Sequence, residues 1–360
     1  MIKIDGSYGE GGGQIVRTAV ALSAVTGKPV EIVNIRANRP NPGLRAQHVT
    51  TIKCIQEISN ADVKGLSVGS KQVTFIPNKI EGDDYKFDIG TAGSITLVFQ
   101  AALLATFQSN KPFSLRLKGG TDVKWSPSWD YFSQVFLRLV SKMGINVSAE
   151  LVRRGYYPEG DGEAILRVNP SNDIIPFDVT SRQSFEKVEG IIHISKLPEH
   201  ISKRMKHAAK KIFVKYGIKD NVKIEKVENA VCEGVGITLW SQSEETILGN
   251  TILGEKGLPA ENIGETAARN IVNEITSGAT LDTYAADQLL PYMALAKERG
   301  ESAFLVRNLS NHAKTNMWLI KHFLDVEFEI QRINSITKVI VKDSHGSTGI
   351  RTPVSGSEGR

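Results

Sequence analysis

Cysteine is almost missing from this chain: Cys54 and Cys232 are its only two among 360 residues. They stand far apart and in no CxxC pair, which excludes a disulfide framework and a cysteine-built zinc site and leads us to expect a reducing compartment. Long apolar runs are missing too, so no membrane-spanning helix is expected. The chain opens directly on the strand-like "IKID", with no signal peptide to be read there, and we expect a cytoplasmic protein. The glycine stretch "GEGGGQ" lacks GxGxxG spacing, and no acidic residue ends a second strand at the expected place, which excludes nicotinamide-dinucleotide binding. Neither charge sign dominates. A formal net charge of +5 is a mild basic bias that suits a polyanionic partner without demanding one. What is present is ordinary globular material, 41% hydrophobic and 23% charged, at a length that supports two or more cores.

The order of strand, loop and helix signals repeats. "IKIDGSYGEGGGQIVRTAVALSAVTG" reads as strand, glycine loop and helix, "KPVEIVNIRANRPNPGLRAQHVTTIKCIQEIS" as strand, proline loop and helix, and "ADVKGLSVGSKQVTFIP" as a strand pair. This βαβαββ unit recurs from Tyr85, and from Gly278 its helices, middle strand and closing pair appear a third time. A module used three times implies equivalent loops converging on one cleft. Residues from about Arg182 to Ser277 break the pattern and read as an inserted α/β domain with its own core. The expected fold class is therefore α/β (α+β): three repeated βαβαββ modules in a large domain, plus the smaller insertion. The expected limits are 1–181 for modules one and two, 182–277 for the insertion, 278–342 for module three and 343–360 for a loose Ser/Gly-rich tail.

Within this frame "NLSNHAKTNMWLIKHFLD" carries the sharpest chemical signal. Ala313, Met317, Ile320 and Leu324 form one apolar helical stripe, and His312 lies about a quarter turn off it, in the first turn after the strand Ala303 to Val306. Unpaired N–H groups and the positive end of the helix dipole favour phosphate there and keep an imidazole neutral, hence nucleophilic. A lone histidine can also simply decorate a helix end. "NIRANRPNPGLRAQH" gathers Arg36, Arg39, Arg45 and His48 around a stiff loop, a pattern suited to phosphate oxygens. Glu10 and Arg17 flank the glycine loop, and Gln100 follows the turn in "TAGSITLVFQ". "DTYAADQLL" sets Tyr284, Asp287 and Gln288 on one first turn, where an acid holds a metal or caps the helix. Trp125 and Trp129 flank Pro127 and read as packing groups rather than stacking platforms for bases.

In order along the chain, "DGSYGEGGGQIVRTAVALSAVTGKP", "IRANRPNPGLRAQH", "GTAGSITLVFQ", "RGYYPEGDGE", "LPEHISKRM", "ADQLLPYMALA" and "NLSNHAKTNMWLIKHFL" resemble the RNA 3′-terminal phosphate cyclases over nearly the whole length. The resemblance implies the three-module fold with an insertion. It also implies an ATP-dependent conversion of an RNA 3′-terminal phosphate to a 2′,3′-cyclic phosphate, through a histidine–AMP and then an RNA–adenylate intermediate. By motif position the nucleophile is His312. Glu10, Arg17, Arg36, Arg39, His48, Gln100, Pro127, Tyr284, Asp287 and Gln288 fall on the nucleotide and substrate site. Glu10 and Asp287 are the candidates for holding a divalent metal, magnesium or manganese. The arginines would hold phosphates, and His48 would either orient a phosphate or assist proton transfer from the 2′-hydroxyl. The expected partners are ATP and RNA with a 3′-terminal phosphate, with no membrane; oligomeric state stays open. Two rivals share such repeats. A noncatalytic ribosome-assembly relative lacks the histidine, and the enolpyruvyl transferases use lysine-rich phosphate sites not evident here.

Overall fold

The computed structural model describes residues 1–80, 82–171 and 174–345. Three four-stranded sheets share one strand order. In module one, β1 (Ile2–Asp5) lies parallel to β2 (Val30–Val33), which pairs antiparallel with β4 (Val73–Ile76) and it in turn with β3 (Asp62–Lys64). A parallel pair needs a crossover, supplied by α1 (Gly13–Thr26), and α2 (Ala46–Ile58) makes the second connection.

Module two repeats the order with β5 (Asp84–Asp88), β6 (Phe113–Gly119), β8 (Gly162–Val168) and β7 (Val147–Arg153). Its helices are α3 (Ile95–Thr106) and one built from α4 (Trp129–Tyr131), a π-helical turn over Phe132–Phe136, and α5 (Leu137–Lys142). The third sheet draws its first strand, β9 (Asp178–Val179), from before the insertion. It pairs β9 parallel with β14 (Ser302–Val306), then continues through β16 (Ile336–Asp343) to β15 (Val326–Ile333). Thus the insertion interrupts module three after its first strand. The loose tail expected from residue 343 falls from residue 346 onward outside the described residues, and β16 itself runs to Asp343.

The intervening segment has a separate sheet, in the order β11 (Lys219–Lys226), β10 (Lys187–Ser195), β12 (Gly234–Gln242) and β13 (Ile247–Leu253). Helices α6 (His200–Tyr216) and α7 (Ala260–Ser277) join it in a second core built around Val188, Ile192, Met205, Phe213, Leu239 and Ile271. β13 is hard to read from sequence because "ILGNTIL" breaks its apolar pattern with Gly249 and Asn250.

The large core is continuous across the three modules, with Ile15, Leu22, Phe99, Phe132, Tyr292, Phe304 and Phe323 fully buried. It joins α8 (Thr283–Leu295) to α9 (Asn311–Ile320) by a device written in the sequence. Pro291 has no N–H to give the carbonyl four residues back, which belongs to Asp287. Asn316 Nδ2 of α9 donates to that carbonyl at 2.9 Å. Ser310 then caps α9 by accepting from Ala313 N at 2.9 Å, and its hydroxyl reaches Asp287 Oδ2 at 3.3 Å. No helix among the described residues is long and apolar enough to cross a membrane.

Candidate active site

The glycine loop between β1 and α1 is clamped onto α9. Tyr8 stacks on Trp318 with ring centroids 3.8 Å apart and planes 11° from parallel. A Cβ at Gly9, whose φ is +57°, would lie 2.6 Å from Thr315 Oγ1, so only glycine passes there. This contact brings Gln14 to His312 across 298 residues. Gln14 Nε2 donates to the His312 carbonyl at 3.2 Å, which fixes the amide orientation. Its Oε1 therefore faces His312 Nδ1, at 2.5 Å. An amide oxygen only accepts, so Nδ1 donates to Gln14 and Nε2 is the ring nitrogen turned the other way. Nε2 points at Glu10, 3.3 Å from Oε2, and the same carboxylate oxygen lies 3.7 Å from Arg39 Nη2.

A cationic pocket sits behind this edge. Arg17 is partly exposed by surface area, yet its guanidinium lies deep enough for desolvation to pull it down to about 10. No hydrogen bond or ion pair to it occurs among the described residues, so it is a desolvated cation in want of an anion. His48 is buried nearby. Burial first, then the charges of Arg17, Arg36 and Arg45, push it down to about 3. It is thus neutral at physiological pH, and its Nδ1 accepts from Arg45 N at 3.0 Å, which places its proton on Nε2. That nitrogen lies 2.0 Å from where a Cβ of Gly13 would be, so the glycine loop and the start of α2 touch at the pocket floor. Arg36 has φ +53° and its Nη1 donates to the carbonyls of Asn41, at 2.5 Å, and Gly43, at 3.0 Å. It braces the Pro-Asn-Pro-Gly loop that carries Arg39.

The other expected residues line a second flank. Gln100 Nε2 donates to Gln288 Oε1 at 2.9 Å, joining α3 to α8. The Pro127 carbonyl accepts from Thr96 Oγ1 at 2.8 Å. Tyr284 is exposed and meets Tyr131 edge-on. Asp287 is buried, and burial foremost, with the charges of Asp282 and Glu10, raises its carboxyl to about 8. It has one hydroxyl partner, Ser310, and no ion-pair partner among the described residues. The Glu10 charge is felt at this buried acid, and Glu10 itself is accessible.

Elsewhere Asp122, Asp130 and His193 bring ligand atoms within 4.8 Å of one another, close enough by distance for a metal. Arg154 already supplies the positive charge there, at 3.1 Å from Asp122 Oδ2 and 3.0 Å from Asp130 Oδ2, and it reaches Glu225 of β11 at 2.7 Å. This is a buried ion-pair network joining module two to the insertion. It was not visible at the sequence level, because its members come from four separate segments. Gln14 was missed for a similar reason: nothing near it in sequence names its partner. The readings of Trp125 and Trp129 divide. Trp129 packs as expected, but Trp125 is 96% exposed and packs against nothing that hides it.

The sequence model of the family described as RNA 3′-terminal phosphate cyclase matches residues 8–330. Among curated relatives carrying that name, one from Methanosarcina barkeri is 45% identical over 341 residues, covering 95% of this chain and all of the relative. One from Methanopyrus kandleri is 43% identical over 92% of this chain and 95% of its own length. A third, from Pyrococcus abyssi, is 44% identical with the same coverage of both chains as the Methanopyrus protein.

Proposed function

The chain belongs to the RNA 3′-terminal phosphate cyclase family, and on that premise we propose that it converts an RNA 3′-phosphate to a 2′,3′-cyclic phosphate through a covalent His312–AMP intermediate. The observation that carries this reading is the His312 ring, with Nδ1 tied to Gln14 and Nε2 on its other side, 3.3 Å from Glu10 Oε2, at the start of a helix.

In the first step Nε2 attacks the α-phosphorus of ATP. An N–P bond forms as the bridging α–β P–O bond breaks, and diphosphate leaves with that bonding pair. The ring becomes cationic, and the Nδ1–H···Oε1 bond to Gln14 strengthens as it does so. In the second step a 3′-phosphate oxygen of RNA attacks the same phosphorus, the N–P bond breaks, and the ring recovers its lone pair. In the third the 2′-hydroxyl oxygen attacks the 3′-phosphorus, the P–O bond to the adenylyl group breaks, AMP departs with that bonding pair, and the hydroxyl proton passes to AMP or to water. Arg17 and Arg39 neutralise phosphate charge in each step, Arg17 being already desolvated and without a partner among the described residues. Arg36 acts mainly by holding the loop of Arg39. His48, with its proton on Nε2, donates a hydrogen bond to a phosphate oxygen rather than serving as the base. Tyr284, Pro127, Gln100 and Gln288 form the nucleotide flank. A divalent cation, magnesium or manganese, held by Glu10 and Asp287 would offset charge on the triphosphate.

The test is incubation with ATP labelled at the α-phosphate, followed by denaturation. Wild type should retain acid-labile, alkali-stable label and His312→Ala should not. An unlabelled wild type with either metal, or a labelled His312→Ala, defeats this reading.

A further inference from the structure

Two aromatic side chains stand out in solvent for no packing reason. Trp125 is 96% exposed and Tyr157 is 78% exposed, whereas Trp129 and Tyr156 next to them in sequence are buried. Each sits at the tip of a tight loop. Trp125 adopts φ +62°, with Ser126 Oγ donating to the Val123 carbonyl at 2.8 Å and Lys124 paired to Glu255 of the insertion at 2.6 Å. Tyr157 caps a turn closed by Gly160 N donating to the Tyr156 carbonyl at 2.7 Å. The bases of the two loops are bonded together: Thr121 N and Asp122 N donate to the Gly155 carbonyl at 2.9 and 3.2 Å, and Gly155 N donates to Thr121 Oγ1 at 2.9 Å. Rigid loops holding aromatic rings in water give up the burial those rings would otherwise gain.

Resting on the cyclase reading, we propose that Trp125 and Tyr157 form a stacking platform for unpaired bases of the RNA substrate, upstream of its 3′ end. The place fits. Trp125 is two residues from Pro127, whose carbonyl is bonded to Thr96 at the start of α3, and one turn further along α3 Gln100 reaches Gln288 beside Asp287 and Ser310. Trp125 therefore lies two residues from a carbonyl bonded to the helix that carries Gln100, and the Tyr157 loop is bonded at its base to the Trp125 loop. A substrate reacting at its 3′ end must present a free strand end, and single-stranded bases stack on exposed aromatic rings with little regard to sequence.

Binding of a fluorescent oligoribonucleotide bearing a 3′-phosphate would be measured by anisotropy without ATP, so that no chemistry intervenes. Trp125→Ala and Tyr157→Ala should each weaken binding by about 5-fold or more, with Trp125→Phe within about 3-fold of wild type. An RNA abasic at the stacked position should bind wild type as weakly as intact RNA binds Trp125→Ala, and the two changes should not add. Labelling by ATP alone should be unchanged in all three variants, so a failure of labelling in wild type bears on the cyclase chemistry and not on the platform. Unchanged RNA affinity in both alanine variants overturns the proposal. So does a Trp125→Ala that loses only ATP labelling, which would give the ring to the adenine instead.

Discussion

Replacing Gln14 by alanine leaves His312, Glu10, Asp287 and the arginines in place and removes only the group that sets the ring. Two hydrogen bonds go, one to Nδ1 and one to the backbone carbonyl of the same residue. At about 0.5–1.5 kcal/mol net each, the lost orientation is about 1–3 kcal/mol, or roughly 5- to 150-fold in rate. The loss should fall on the single-turnover rate of label transfer from ATP to the protein more than on ATP affinity, because the bonds of Gln14 are to the proposed nucleophile. Gln14→Glu makes the sharper companion. A carboxylate still accepts from Nδ1 but favours the protonated ring, so the acidic limb of the pH–rate profile should move to higher pH while alkaline rates largely survive. If Gln14→Ala transfers label at the wild-type rate, or if Gln14→Glu leaves the profile where it was, the ring is not held as argued here.

Other consequences concern stability. Gly13→Ala adds a good helix former at the first position of α1 and would ordinarily stabilise, yet its Cβ would meet His48 Nε2 at 2.0 Å. Calorimetry should show a loss of about 1–3 kcal/mol, and a gain would contradict the packing described. Asp287 is raised to about 8, so the folded chain keeps a proton that the unfolded chain has released above the ordinary 3.8. Its contribution therefore weakens folding as pH rises from about 4 to about 8, by a few kcal/mol in all. Asp287→Asn should flatten this part of the stability–pH curve, and an unchanged slope would count against the burial argument. Arg154→Met strands Asp122 and Asp130 without their cation and should cost about 3–5 kcal/mol, less at pH 5 because burial raises Asp130 to about 6 and leaves it protonated there. Melting like wild type would mean that the network carries no stability.

Much of this architecture is legible in the sequence because periodic patterns carry it. The apolar stripe of α9 and the Ala/Val-rich α1 announce their faces, and the strand–glycine loop–helix order exposes the repeat. His312 is legible for the same reason, as a polar residue off a clear stripe in a first turn. What escapes depends on distance along the chain. β9 is only two residues long, and about a hundred residues separate it from α8. Gln14 looks like any polar residue opening a helix until the fold sets it against a residue 298 positions away. Exposure is equally unreadable: Trp125 and Trp129 lie on either side of one proline, and only the three-dimensional course of the loop turns one inward and the other out.

The central claim is tested most directly by an oligoribonucleotide whose 3′-phosphate carries the label, incubated with ATP and then with phosphatase. Wild type should make the label phosphatase-resistant only when ATP is present, His312→Ala should not, and a substrate with a terminal 2′-deoxyribose should stop at the adenylated RNA. Label that stays open to phosphatase in wild type, or resistance that arises without ATP or without His312, would contradict the account.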